Sequence, residues 1–158
     1  MLNMDNTNSE AGTRGMILVL GAGESGVGAA LLAKKKGYKV FVSDKGKIEE
    51  KYKHVLLNNE IDFEEGLHGK DIGDDAREVI KSPGIPDDAP VILDLKRKGI
   101  RVISEIEFAS RFTEAKMICI TGSNGKTTTT LLTHHILQKA GGCGTWRKRR
   151  KKLCMAGC

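Results

Sequence analysis

The apolar run MILVL (16–20) passes directly into GAGESG (21–26) and then into VGAALLAKKKG (27–37). No other feature of the chain constrains its fold as strongly. A strand that is apolar at every position has to be covered on both faces. A helix that starts straight after a glycine-rich turn has to lie back against that strand. The helix reading is supported by lysines in its last turn and by Gly37 just past its end, where a left-handed residue closes a helix.

The alternation then continues. KVFVSD (39–44) reads as a second strand and IEEKYKHVLLNNE (48–60) as a helix. DFEEGLHGKDIGDDA (62–76) reads as loop. REVIKSPGIP (77–86) reads as a third strand ending in a Pro/Gly turn, and DDAPVILDLKRKG (87–99) as a helix with acids before its start and basic residues at its end, as the helix dipole favours. IRVIS (100–104) is a fourth strand, EIEFASRFTE a short helix, KMICIT (116–121) another strand and TTTTLLTHHILQKAGG another helix. This order predicts an α/β fold: a Rossmann-like doubly wound parallel sheet over residues 16–114. The first strand, phosphate loop and helix of a second domain follow over residues 115–142, with the boundary near Thr113–Lys116.

GAGESG has the G-x-G-x-x-G spacing of a phosphate-binding turn. Gly21 permits the tight turn, Gly23 lets a phosphate approach the backbone, and Gly26 lets the helix pack on the strand. The helix N-terminus attracts the anion. Asp44 ends the next strand, 23 residues after Gly21, near the ~20 expected of a residue that accepts hydrogen bonds from a sugar or base. A tight turn without a ligand would share the glycines. KSPGIP lies at the same sheet edge, where Ser82 and the Gly84 amide can donate to a phosphate or base; a plain turn explains Pro83-Gly84 equally well.

TGSNGKTT (121–128) is the most informative stretch. A P-loop wraps backbone N–H groups around phosphates, with a lysine on the β/γ-oxygens and the following hydroxyl on Mg²⁺. Lys126 and Thr127 fit those two roles. Ile120 stands where the longer form of the motif has its first glycine, so this is the shorter G-x-x-G-K-T loop, Gly122 to Thr127. His134 and His135, two turns on, read as ordinary helix residues.

Two phosphate loops in series, with KSPGIP and ISEIE between them, resemble the ATP-dependent Mur ligases of bacterial cell-wall synthesis over residues 16–142. SPGIP together with the glycine loop resembles the branch of that family that adds D-glutamate to UDP-N-acetylmuramoyl-L-alanine. The resemblance implies contacts to the UDP-sugar from Gly21, Gly23, Glu24, Ser25, Gly26, Asp44, Lys45, Ser82, Pro83 and Gly84. It implies ATP contacts from Gly122, Ser123, Asn124, Gly125, Lys126, Thr127 and Thr128, with Lys126 catalytic and Thr127 on Mg²⁺. It implies a ligase working through an acyl phosphate; with no secretory signal in the sequence, a reducing cytoplasm is the expected compartment. The family's further metal ligands, its modified lysine and its D-glutamate site would lie beyond the P-loop helix, so this chain is expected to be about one third of a ligase and inactive alone.

Composition bears mainly on the two ends. The net charge of +6 invites a nucleic-acid reading, but CGTWRKRRKKLCMAGC (143–158) holds six Lys/Arg and no acid. Without it, the 26 basic residues fall by six to 20, against 20 acidic ones. The same tail holds three of the four cysteines and the only tryptophan. Cys143, Cys154 and Cys158 lack the spacing and the histidines of a zinc site. Cys119, inside an apolar run, is expected to be buried. Under permitted codons, reading the tail one base later gives VGLGGNVGKSFAWQV, which resembles the family's continuation. The tail is therefore expected to be an out-of-frame translation after Gly142. Residues 1–15 are polar, carry no apolar h-region, and read as a disordered lead-in with Met16 an alternative start. No run approaches the roughly 18 apolar residues of a membrane span. Two other functions compete: an NAD(P)-binding oxidoreductase fragment, on the glycine loop and Asp44, and a nucleic-acid binder through WRKRRKK.

Overall fold

The computed structural model describes residues 15–69, 72–114, 117–140, 144–148 and 153–157. It divides into two compact units, Met1–Phe112 and Thr113–Cys158.

The first unit alternates strand and helix: β1 (Met16–Leu20), α1 (Glu24–Lys35), β2 (Lys39–Asp44), α2 (Glu50–Asn58), β3 (Asp62–Glu65), β4 (Ala76–Lys81), α3 (Pro90–Arg97), β5 (Arg101–Ser104) and α4 (Glu105–Ser110). The five strands form one sheet in the order β3-β2-β1-β4-β5, and every pairing is parallel. β1 is apolar throughout because both of its faces are covered. Ile17 and Val19 pack with Val40, Val42, Ile80 and Phe108 on one side. Leu18 and Leu20 pack with Val79, Ile92 and Leu95 on the other. Phe108 anchors the first layer, fully buried and edge-on to Tyr38 and Phe112 at 6.0 and 5.1 Å.

DFEE (62–65) is a strand, which corrects the loop reading of 62–76. β3 lies at the sheet edge and, among the described residues, pairs only with β2. Three of its four residues are acidic, and charge is a common way to keep an edge strand from recruiting another chain. That disguise removed the apolar signal by which the other strands were read.

The register aligns all five strand ends. Leu20 pairs with Ser43 and with Lys81, Ser43 with Glu64, and Lys81 with Ser104. One residue further along, Glu65, Asp44, Gly21, Ser82 and Glu105 therefore follow one another across the carboxyl edge. Beyond the strand ends, Gly21 N–H donates to Ser43 O at 2.8 Å and Ser82 N–H to Leu20 O at 2.9 Å.

In the second unit, β6 (Met117–Ile120) leads through residues 121–125 into α5 (Lys126–Lys139); β7 (Gly144–Lys148) and β8 (Leu153–Gly157) follow. The sheet order is β6-β8-β7, and both pairings are antiparallel. So the basic tail contributes two strands, and β6 satisfies one row of its backbone groups against β8. Cys119 is exposed, contrary to the expectation of burial. A strand residue is buried on both faces only if a layer covers each, and among the described residues this unit has the single helix α5.

Candidate functional site

The strand order reverses between β1 and β4, which leave the sheet in opposite directions, β1 toward α1 and β2, β4 toward α3 and β5. In open parallel sheets ligands bind at such a point, beyond the carboxyl ends of the strands. A crevice of about 1100 Å³ lies there.

The glycine loop is built by close contact. Gly21 has φ +95°, and a Cβ on it would stand 2.8 Å from Ser82 Cβ and Oγ. A Cβ on Gly26 would stand 1.8 Å from the Gly21 carbonyl oxygen. The chain therefore needs glycine at both positions to seat α1 beneath the turn. Gly23 precedes α1 directly, with no atom within 4 Å of where its Cβ would be, so its backbone is open to a ligand.

Asp44 staples this loop. Its Oδ2 accepts the Ala22 N–H at 2.6 Å and its Oδ1 accepts the Gly46 N–H at 2.8 Å. Each carboxylate oxygen keeps a lone pair for a further donor. Across the crevice, the Ile85 N–H donates to Ser82 O at 3.1 Å and closes the SPGI turn. Lys81 Nζ donates to Ile85 O at 2.7 Å and pairs with Asp87 at 3.0 Å. Lys81 thereby holds the turn, and its hydrogen bond keeps the Asp87 carboxyl below the usual aspartate range.

Two groups absent from the residue-by-residue reading join these segments. Glu105, 4% exposed at the start of α4, accepts on Oε1 from Ser25 Oγ at 2.8 Å and from Ser82 Oγ at 3.1 Å. It ties the first turn of α1 to the SPGI turn. At the other end, Ser43 Oγ donates to Glu64 Oε1 at 2.7 Å and lies 2.7 Å from His68 Nδ1. Burial pushes the His68 imidazole below its usual range. The register across β1, β2, β4 and β5, and the acidic β3, set up these contacts, so no local motif announces them.

Of the residues assigned to the UDP-sugar, Gly21, Gly23, Ser25, Asp44, Lys45, Ser82, Pro83 and Gly84 line the crevice. Gly26 is buried under the loop, and Glu24 is exposed in the first turn of α1 without joining the lining. In the second unit, Gly122 and Gly125 take φ +150° and +74°. Gly125 caps α5 in the left-handed region, and Lys126 is the helix's first residue. Lys126 Nζ lies across the loop, donating to the Gly122 carbonyl and, at 2.9 Å, to that of Ser123. Ser123, Asn124, Thr127 and Thr128 are exposed. Among the described residues no group of three or more His, Cys, Asp or Glu side chains could hold a metal ion. No helix there is long and apolar enough to cross a membrane.

A family model described as the MurD N-terminal domain matches residues 16–91. The UDP-N-acetylmuramoylalanine–D-glutamate ligase of Bacteroides thetaiotaomicron is 63% identical over 124 residues, 78% of this chain and 28% of that protein. That of Porphyromonas gingivalis is 63% identical over 125 residues, 79% of this chain and 28% of that protein. The chain thus spans 28% of the length of these relatives. Among solved structures, a murein peptide ligase of Psychrobacter arcticus superposes with a TM-score of 0.58 at 27% identity, covering 81% of this chain and 28% of that one. The UDP-N-acetylmuramate-alanine ligase MurC of Thermotoga maritima gives 0.54 at 26%, covering 80% and 30%.

Proposed function

We propose, for a chain whose residues 16–91 belong to the MurD N-terminal domain family and whose N-terminal part is related to the Mur ligases of peptidoglycan synthesis, that the crevice binds the UDP end of UDP-N-acetylmuramoyl-L-alanine. One observation carries this. Gly21–Gly26 and Ser82–Ile85, far apart in sequence, meet at the reversal of strand order, hold each other through Glu105, and open onto Asp44. A diphosphate there faces the first amides of α1 and the dipole of that helix. The sugar and base reach Asp44 and Lys45.

The Gly122–Thr128 loop belongs to the same reading as the ATP site. The residues present suit it: exposed threonines on the first turn of α5 and an ammonium lying across the loop. Lys126 would neutralise phosphate charge, and the Thr127 hydroxyl would hold Mg²⁺, which supplies further charge neutralisation. For the whole enzyme the reaction is an ATP-driven ligation. The carboxylate of UDP-N-acetylmuramoyl-L-alanine takes the γ-phosphoryl group, ADP leaves, and the amine of D-glutamate displaces phosphate to form the amide. The 158-residue chain is assigned substrate binding in the cytoplasm. Residues 143–158 are assigned to an out-of-frame reading; the DNA sequence across codon 142 tests that, and a downstream frame without ligase sequence would refute it.

Ligand-linked stability tests the crevice. A ligand at ~100 times its dissociation constant adds about 2.7 kcal/mol. UDP-N-acetylmuramoyl-L-alanine should raise the unfolding temperature and NADH should not. The glycine spacing and Asp44 also suit a nicotinamide dinucleotide, and the opposite result would establish that reading instead.

A further inference from the structure

A second cavity, of about 210 Å³, opens at the amino edge of the parallel sheet, the end opposite the crevice. β1 runs five residues from there to the glycine turn, at ~3.3 Å each, so roughly 15 Å separates the two. Ile17, Glu78 and Arg101 pair in one row across β1, β4 and β5. They line the cavity together with Arg77, with Tyr38 after α1 and with Arg111 after α4. None of these residues lines the crevice.

Glu78 is 7% exposed, and a buried carboxylate has to be paired. Arg111 pairs it with both ends of its guanidinium, Nη1 donating to Oε2 at 2.6 Å and Nη2 to Oε1 at 2.9 Å. One guanidinium meets that need. Arg101 adds its Nε at 3.5 Å and is itself held by Glu107 at 3.0 Å. Arg77 takes no part: among the described residues it makes no ion pair. The lining thus holds three guanidinium groups against one carboxylate, and Arg77 keeps every N–H donor for something else.

Two local features bring Arg77 to the cavity. Successive strand side chains point to opposite faces, yet the neighbours Arg77 and Glu78 line the same space. The register explains this: Met16 pairs with Ala76 and Ile17 with Glu78, so Arg77 is an extra residue opposite neither. A bulge of this kind re-aims a side chain and gives up a position of the ladder. Gly15 then leaves room for the stem, since a Cβ on it would stand 3.3 Å from Arg77 Cβ and Cδ. Pairing Glu78 requires neither feature. We propose that the amino-edge cavity binds a phosphate-sized oxyanion, free phosphate or the phosphate end of a small ester. Arg77 is its main donor, and Arg101 and Arg111, held in place by Glu78, support it. A water takes up ~30 Å³, so the cavity holds a group of several heavy atoms and excludes a sugar nucleotide. Guanidinium forks match phosphate oxygens. A tetrahedral oxyanion accepts donors from three chain segments at once, where a planar carboxylate presents only a pair of oxygens.

The test is an NMR titration of the 158-residue chain with inorganic phosphate, glycerol 3-phosphate and acetate, following arginine Nε–Hε and backbone amide signals. Phosphate should give saturable shifts at Arg77, Glu78 and Arg101. Arg77→Ala, at an exposed position, should weaken binding ~tenfold or more, read at Glu78 and Arg101. Arg101→Gln should weaken it less, read at Arg77, because Arg101 shares its donors with Glu78 and Glu107. Phosphate held by the glycine turn or by Gly122–Thr128 shifts amides there instead, with an affinity that Arg77→Ala leaves as it was. Tighter binding of glycerol 3-phosphate than of phosphate assigns the cavity to an ester, and weaker binding assigns it to the free ion. The proposal is overturned by the absence of saturable shifts at Arg77 and Arg101 with either phosphate compound. It is overturned equally by an affinity there that Arg77→Ala does not change, or by acetate binding as tightly as phosphate.

Discussion

Gly21–Gly26 and Gly122–Lys126 each join a strand to a helix and each take positive φ where the turn demands it, yet their surroundings differ. The first turn is wedged between β1, Ser82 and α1, with Gly26 buried against the Gly21 carbonyl. Behind it lies a sheet covered on both faces. The second turn is exposed from Thr121 to Gly125. Its helix α5 exposes Leu131, Leu132 and Ile136 by 46%, 59% and 57%, and Thr130 is its one buried residue among those described. A glycine turn can thus form locally from glycines and a helix start. The tight packing around a loop comes only from the layers behind it.

The largest contrast is expected in the cores. Phe108→Ala should destabilise the first unit by about 3–5 kcal/mol, since it empties a fully packed site, whereas Leu132→Ala should cost less than about 0.5 kcal/mol. Urea denaturation measures both. Equal costs would remove the distinction between the two regions.

The glycines sharpen it. Gly26→Ala should cost about 1–3 kcal/mol through overpacking and abolish ligand-induced stabilisation, because the new Cβ meets a backbone carbonyl. Gly125 has open space around its Cβ position but φ +74°, so Gly125→Ala should cost about 1–2 kcal/mol through the dihedral alone. Asparagine, which tolerates the left-handed region, should recover part of that loss at position 125 and none at 26. Recovery at 26 would mean that conformation, not packing, sets the first loop.

A smaller effect is expected at Glu105. Glu105→Gln should cost about 1 kcal/mol by weakening charge-assisted bonds from Ser25 and Ser82. It should also increase amide exchange in the SPGI turn while leaving residues 121–128 as they are. The smallest is at Glu60, the one non-glycine residue with positive φ (51°) among those described. It follows α2 where Gly37 follows α1, with the same pair of closing bonds. Glu60→Gly should stabilise by about 0.5 kcal/mol, the strain relieved less the added unfolded-state freedom, measured by the same denaturation.

Much of the first unit was legible in the residues. β1, β2, β4 and β5 declare themselves because each carries apolar side chains into the core, and Asp44 because it ends a strand beside a glycine turn. β3 does not, since an acidic edge strand looks like a loop. Glu105 sat in EIEFASRFTE, read as a short helix, and in ISEIE, part of the family resemblance, with no role of its own. Its reach to Ser25 and Ser82 depends on β4 and β5 ending level with β1. The Ser43–Glu64–His68 contact depends in the same way on the pairing of β2 with the strand that was missed. Cys119 was misjudged because an apolar neighbourhood in sequence implies burial only where a second layer exists.

Residue-resolved amide hydrogen exchange on the 158-residue chain, with and without saturating UDP-N-acetylmuramoyl-L-alanine, tests the central claim most directly. The account predicts added protection at Gly21–Gly26, at Asp44–Gly46 and at Ser82, Gly84 and Ile85, with Gly122–Thr128 unchanged until Mg·ATP is added. Unchanged exchange at Gly21–Gly26 and at Ser82, Gly84 and Ile85 under saturating ligand would contradict it.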